Sequence, residues 1–436
     1  MNTRLSATTA TPAYSNSQRD KSDADLAALL FSEIAAFSAD SAGVSRPAFS
    51  AMETRTLKYL EAFAREQGLQ VDYDAGQNAV FALPEDAGAT DYVLVGSHVD
   101  SVPNGGNFDG LAGVIAGLIC LVRAKRNAVR FSRPVKIIAM RGEESAWFGP
   151  CYIASKALLG TLGADELQSK HKDDGKNLDA HMDAMGIDME RVRQNIPLLD
   201  PASVHAYIEL HIEQGPLLIE KNLPAAVVSG IRGNIRHRKI RCIGEPGHSG
   251  AVPRSYRKDP VLAMADLLTR LDESWLTILQ KGEDLVLTCG MVATDPEKHA
   301  LTRIPDLVDF SIDIRSQSAE ALDEMRELLR QEIDTVARER KVRFDLDAEI
   351  YTPPALCDSA MVEDLSAAMA RVDQEPFVMP SGGGHDAAVF ANAGIASAMI
   401  FVRNRNGSHN PQEAMEISDL MAGTDIIYEY LKGPST

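Results

Sequence analysis

The chain has 436 residues, 45% of them hydrophobic and 24% charged, with a formal net charge of −18. This is the composition of a globular protein, long enough for two or three domains at roughly 100–200 residues each, and its core needs no disulfide staples. The acidic balance argues against nucleic acid or an anionic membrane as a partner, because both are polyanions, and leaves room for a small anionic substrate held by a few local arginines.

Five cysteines stand at 120, 151, 242, 289 and 357, and no two have CxxC spacing. An odd, scattered set fits a reducing compartment and excludes a thiolate zinc site. The longest nearly unbroken apolar stretch, residues 113–122, is too short for a bilayer, which takes about 20 residues. No apolar run follows Arg4, so no secretory leader is expected and the expected location is cytoplasmic.

Residues 1–22 are polar and patternless and read as a loose N-terminal arm. Helical spacing follows over 23–37 (Leu26, Leu29, Leu30, Ile34). It recurs over 51–67 (Met52, Leu57, Leu60, Phe63), where Gly68 closes it. Short apolar runs at 79–83, 92–96, 135–140, 206–210 and 398–402 read as buried strands, with a helical pattern at 110–125 among them. Strand and helix in alternation predict an α/β fold, a mixed, largely parallel sheet with helices on both faces. The stretch 169–194 is charged and helical and reads as a surface excursion. From about 230 to 347 the rhythm changes. A strand at 239–243, a helix at 260–271, strands near 285–292 and 308–314, a helix at 320–341 and a strand at 342–346 give the β-α-β-β-α-β order of a ferredoxin-like α+β domain. It is read as an insertion, so residues 1–229 and 348–436 would be two parts of one domain around a second domain at 230–347.

Several of the first domain's strands run into potential metal ligands. The strand at 92–96 leads to His98, that at 135–140 to Glu143 and Glu144, and that at 206–210 to His211. In an open α/β sheet the ligand site lies beyond the carboxyl ends of the strands, so these residues are expected to converge. His98 and Asp100 share a face of an extended backbone, which lets Asp100 orient the imidazole. Glycines at 105, 106 and 110 allow sharp turns and deliver Asp109 just before a helix, where a carboxylate can bridge two cations; the competing role for Asp109 is a helix cap.

HVDSVPNGGNFDG at 98–110, RGEES at 141–145, ELHIEQGP at 209–216, SGGGHDA at 381–387 and GSHNPQE at 407–413 together resemble the hydantoinase/carbamoylase branch of the M20 metallopeptidase-like amidohydrolases. That branch includes N-carbamoyl-L-amino-acid hydrolases, allantoate amidohydrolases and β-ureidopropionases. The resemblance runs from about Gly43 to Tyr430. It implies a two-metal site, with His98 and His211 on one cation, Glu144 and His409 on the other, and Asp109 between them. The metals would be Zn²⁺, or Mn²⁺, Co²⁺ or Ni²⁺. Glu143 would be the general base. His248, in the segment matching the family's His-Ala-Gly, would polarise the scissile carbonyl. Arg315 would grip a substrate carboxylate through its fork of donors, with Gln214 joining it, and Gly383 and His385 would line the pocket. A homodimer is implied as well.

Three pocket-side segments depart from the family pattern. Thr302 stands where an asparagine is usual, Ser145-Ala146-Trp147-Phe148 replaces Gly-Ser-Arg-Phe, and Ala251-Val252-Pro253-Arg254 replaces Thr-Thr-Pro-Met. Trp147 adds bulk, and Arg254 and Arg303 add positive charge. The expected activity is hydrolysis of a linear amide or ureide C–N bond, with an N-carbamoyl-L-amino acid as substrate. Allantoate, or an N-acyl amino acid, is the alternative substrate, and a non-catalytic metal-bearing binding protein is the rival from another class.

Overall fold

The computed structural model describes residues 21–433. The arm expected at 1–22 therefore lies almost wholly outside the described residues. Its last residue, Ser22, caps the helix Asp23–Ser38 through a reciprocal capping box with Asp25, which satisfies two backbone donors of the first turn.

The chain divides into two compact units. The first takes residues up to Ala225, Ala368–Glu375 and Ile400 onward. Its strands lie in the order Gln70–Tyr73, Ala79–Ala82, Val135–Met140, Tyr92–His98, Val204–Ile212. The first two pairings are antiparallel; Tyr92–His98 runs parallel to both of its neighbours. The sheet is thus mixed, as the alternation of elements predicts. All seven residues of Tyr92–His98 are buried, which is what a strand with parallel neighbours on both sides requires. The helix Leu111–Arg126 follows it. Nearly every residue of this helix is buried, so it is apolar all round rather than striped.

Register decides what the strands deliver. His98 lies opposite Met140, so the residues after Met140 emerge beside the imidazole. Val95 lies opposite Ile208. Three residues further on in each strand, His98 and His211 reach the same level.

The second unit takes Ala226–Ala367 and Pro376–Met399. Its larger sheet is antiparallel. Val292–Ala293, Leu307–Ser316, Gly233–Ile243 and Arg343–Leu346 lie in that order, with Val286–Thr288 on the second and Ile350–Thr352 on the third. The helices Pro260–Gln280 and Ala319–Arg340 pack Leu267, Leu271, Met325 and Leu329 against Val308, Phe310, Ile312 and Ile314. The excursion at 169–194 is broken into short helices, Leu178–Ala184 and Met189–Arg193 among them. Each starts on a side-chain cap, Asn177 and Asp188 respectively. No described helix is long and apolar enough to cross a membrane.

Candidate metal centre

The first unit brings His98, Asp109, Glu143, Glu144, His211 and His409 together. Asp109 stands at the middle. Its Oδ1 is 3.5 Å from His98 Nε2 and 3.1 Å from His211 Nε2, while its Oδ2 is 3.7 Å from His409 Nε2. His409 Nε2 is in turn 3.4 Å from Glu144 Oε1. The donor atoms fall into two groups, His98–Asp109–His211 and Asp109–Glu144–His409, each with its ligand atoms within 4.8 Å of one another. Asp109 belongs to both.

Both buried imidazoles present the same nitrogen to Asp109. His211 Nδ1 lies 2.9 Å from the Ile212 carbonyl and His98 Nδ1 lies 3.2 Å from the Asp100 carbonyl. A carbonyl only accepts, so each Nδ1 carries the hydrogen and each Nε2 keeps its lone pair. The Gly110 N–H, which donates to His211 Nε2 at 3.2 Å, agrees. This tautomer is the one a metal-binding histidine uses. Glu144 Oε1 is buried with the His409 imidazole 3.4 Å away, and a carboxylate oxygen so buried is costly unless a cation faces it. The donor set and its tautomers fit divalent cations.

Charge reinforces the point. Burial alone would lower the His98 pKa, yet Glu143, Asp100 and Asp109 raise it well above its ordinary value. Burial would likewise raise Asp109, but His211 and His98 hold it well below the usual carboxylate range. Contact with Glu144, opposed by burial, lifts His409 to about 9. A region that draws protons onto His98 and His409 in this way favours metal cations for the same reason.

Asp100 does more than its spacing from His98 predicts. Its Oδ1 lies 3.3 Å from His98 Nδ1. The same carboxylate accepts the backbone N–H groups of Glu143 and Glu144, each at 3.0 Å. One buried side chain therefore ties the imidazole to the tandem glutamates. Glu143 Oε2 ends 3.9 Å from His98 Nε2. Gly110, at the start of the long helix, has φ +67°, and a Cβ there would sit 2.4 Å from the His98 ring. Only glycine permits both the left-handed backbone and the approach.

Gln214 is placed on the metal-side cluster: its Nε2 donates to Asp109 Oδ2 at 2.7 Å. Both Gln214 and His409 have positive φ, 62° and 61°. Held against their preference, such residues concentrate at functional sites.

Three contributors escape a reading of the sequence. Glu413 accepts the N–H groups of Phe108 and Asp109 and the hydroxyl of Ser408. Ser408 also donates to Asp109 Oδ2. Arg46 is fully buried; its Nε donates to the Val99 carbonyl and Nη1 to Asn107 Oδ1, bracing the loop between His98 and Asp109. Glu413 closes the GSHNPQE motif, and that position was its only signal.

The remaining expected residues lie in the second unit. His248 is exposed on the short strand Gly247–His248, opposite Arg303. The Thr302 carbonyl accepts the Ser249 N–H. Arg315 pairs with Asp313 at 2.8 Å and donates through Nη1 to the Gly382 carbonyl. His385 is buried with Nε2 3.1 Å from Ser381 Oγ, and the Gly383 carbonyl accepts that hydroxyl. Of the departing segments, Trp147 is only 4% exposed and donates its indole N–H to the Ser101 carbonyl at 2.8 Å, so it packs the wall of the loop.

Residues 94–433 match the model of peptidase family M20/M25/M40. An N-carbamoyl-L-amino acid amidohydrolase of Geobacillus stearothermophilus is 34% identical over 389 residues, 89% of this chain and 92% of that protein. The allantoate amidohydrolase of Escherichia coli (strain K12) is 30% identical over 396 residues, 90% and 94% of the two chains. A crystal structure of a hydantoinase/carbamoylase family amidase from Burkholderia ambifaria superposes with a TM-score of 0.80 at 27% identity, covering 94% of this chain and 96% of that one. With its candidate metal-binding groups gathered around Asp109 and the family model matched over most of its length, the chain belongs to peptidase family M20/M25/M40 and is a hydrolase of its amidohydrolase kind.

Proposed function

We propose that the protein is an N-carbamoyl-L-amino-acid hydrolase that works with two divalent cations per subunit, Zn²⁺ or one of Mn²⁺, Co²⁺ and Ni²⁺. The observation that supports the two cations is the division of Asp109, whose two oxygens face two different groups of donors, and the substrate reading rests on the 34% identity to an N-carbamoyl-L-amino acid amidohydrolase. His98 and His211 would hold one cation, Glu144 and His409 the other, and Asp109 both. When bound, such cations supply the Lewis acidity that acidifies water and polarises a carbonyl.

The chain's own residues do the rest. Glu143 accepts a proton from the attacking water on its carboxylate and returns it to the amino-acid nitrogen as the C–N bond breaks. Asp100 keeps Glu143 and His98 in a fixed relation through its bonds to the backbone of the glutamates. Gln214, donating to Asp109, sets which way that carboxylate turns. His248 donates to the carbonyl oxygen as negative charge grows there. Arg315 takes the α-carboxylate, exchanging its present partners for it, and His385, Gly383 and Thr302 shape the rest of the binding surface. In this reading residues 230–347 form an inserted lid domain and the working enzyme is a homodimer.

Allantoate is the second reading, favoured by the 30% identity to an allantoate amidohydrolase. One panel separates the two. The apoprotein, reconstituted with each of the four metals, is assayed on N-carbamoyl, N-formyl, N-acetyl and N-succinyl L-amino acids and on allantoate. The highest kcat/KM is expected for an N-carbamoyl-L-amino acid; a higher value for allantoate reverses the order, and no turnover of any of them ends both readings.

A further inference from the structure

We propose that His171, Asp174 and His181 form a separate binding site for a single Zn²⁺-class cation, which locks the excursion at 169–194 in the form whose two histidine rings pack on Trp147 and Phe148. The site belongs to the first unit and shares no residue with the cluster around Asp109. Its three ligand atoms lie within 4.8 Å of one another. Asp174 Oδ1 is 3.2 Å from His181 Nε2 and 3.6 Å from His171 Nδ1.

The His171 tautomer suits a metal, while His181 Nε2 donates to Asp174 Oδ1 at 3.2 Å and gives up that proton when a cation takes its place. The Asp173 N–H donates to His171 Nδ1 at 3.3 Å, so that nitrogen carries a lone pair and no hydrogen. The bond is long, and a cation on the same lone pair replaces it at small cost. Two imidazoles and a carboxylate without a thiolate match the ligand preferences of Zn²⁺, with Cu²⁺ and Ni²⁺ as competitors. The His171 and His181 side chains are 10% and 18% exposed and that of Asp174 is 40% exposed. The nitrogens are thus sheltered, while the carboxylate side stays open for a water as fourth ligand.

The ligands sit on a fixed frame. Lys170 and Asn177 bridge in antiparallel fashion, and the His171 N–H donates to the Lys176 carbonyl, closing the turn that carries Asp174. Asn177 then caps the helix Leu178–Ala184, on which His181 rides. Two imidazole rings with centroids 5.0 Å apart repel one another if both are protonated, and a shared cation keeps both neutral while holding them close. The frame is also connected. His171 stacks on Trp147, the planes 5° apart at 5.8 Å, and both histidines meet the edge of Phe148. Trp147 and Phe148 follow Glu143 and Glu144 by a few residues, and Trp147 holds the Ser101 carbonyl. A cation on the two histidines therefore fixes the two rings that pack on Trp147 and Phe148.

The test uses the full chain with its hydrolytic cations already loaded, with Zn²⁺ as the probe of stoichiometry and Ni²⁺ as the quenching probe. Zinc content after equilibrium dialysis is compared between wild type and the Asp174→Asn/His181→Gln double variant. There are only two tryptophans, Trp147 and Trp275. In a Trp275→Phe background, quenching by added Ni²⁺ therefore reports on Trp147. The expected result is one equivalent less zinc in the double variant, loss of the matching phase of quenching, and unchanged turnover. The single variants Asp174→Asn and His181→Gln, which leave Trp147 and Phe148 in place, should each weaken the same equivalent, and circular dichroism establishes that they are folded. Equal zinc content and equal quenching in wild type and variants overturn the proposal. So does a lost equivalent that takes turnover with it, because the metal would then belong to the Asp109 cluster.

Discussion

Three carboxylates around Asp109 differ in what they hold, and substitution separates them. Glu143 is poised beside His98 Nε2 without belonging to either donor group. Glu143→Gln should keep its metal, measured by elemental analysis, and lose kcat by roughly 10²–10⁴-fold; loss of metal instead would make it a ligand. Asp100→Asn replaces one acceptor oxygen by a donor that faces the Glu143 or Glu144 N–H. Both metal affinity and kcat should fall, the affinity by about 10–100-fold as for other groups that orient ligands. Metal-buffer titration of the apoprotein reads this directly. Glu413→Ala removes the acceptor of two backbone N–H groups and one hydroxyl, and the same titration should show weaker binding with Asp109 itself intact. His98, Glu144 and His211 were legible as candidate donors because they stand at the ends of buried strands. The work of Glu413 was not, because its partners Phe108 and Asp109 lie 305 and 304 residues away and nothing local distinguishes it from a solvated glutamate. Asp100 was legible by half: the spacing pointed to His98, and only the folded chain brings the glutamate backbone to it.

Elements read well where burial sets the pattern. The strand Val135–Met140 matches its expected bounds, and the helices Asp23–Ser38 and Leu111–Arg126 fall within a residue of theirs. The helix Pro260–Gln280 runs nine residues past its expected end at 271. Its polar stretch Asp272–Ser274 hides the continuing apolar stripe of Trp275 and Ile278, which pack on the second unit's core. The strand Ala225–Ile231 was not foreseen. Its alanines, serine and Gly230 dilute the β-branched Val227, Val228 and Ile231 that mark a strand. Two variants test these elements. Gly110→Ala forces a side chain into φ +67° and against the His98 ring. The backbone alone costs roughly 1–2 kcal/mol, so a lower melting temperature is expected together with loss of the cation on His98. Leu329→Ala, in the second unit's core, should cost about 2–5 kcal/mol in urea unfolding. The metal content of the folded fraction should not change, since no donor of the cluster lies in that unit.

For the whole molecule, a net charge of −18 makes a local cation the natural means of holding an anionic substrate. Arg315 is the proposed one. A charge-assisted pair of parallel hydrogen bonds contributes roughly 1.5–3 kcal/mol, so Arg315→Ala should lower kcat/KM by about 10–100-fold. Arg315→Lys should recover part of that, because an ammonium presents no planar fork. The loss should shrink for a substrate whose carboxylate is an amide. If acid and amide substrates lose equally, Arg315 does not touch the carboxylate. Substrate choice is the least legible property of all: it is set by single side chains at a few positions, and three of the segments expected to carry them depart from the family pattern.

The closure of the Asp109 cluster by Ser408, His409 and Glu413 has a consequence for biosynthesis. His98, Asp109 and His211 are all translated before the midpoint of the chain, but the groups that complete their surroundings arrive almost 200 codons later. At about 5–20 residues per second, that is a delay of roughly 10–40 s. During this interval the nascent polypeptide presents two histidines and an aspartate without their counterparts. A half-built centre of that kind is open to whichever transition metal is most abundant and most competitive, and in the Irving–Williams order that is copper rather than manganese. On the two-cation reading, the metal content of purified protein should report the metal supply during synthesis as well as the preference of the finished site. Protein expressed in media differing only in trace metals should carry different ions, and refolding the same chain in a single metal should erase the difference.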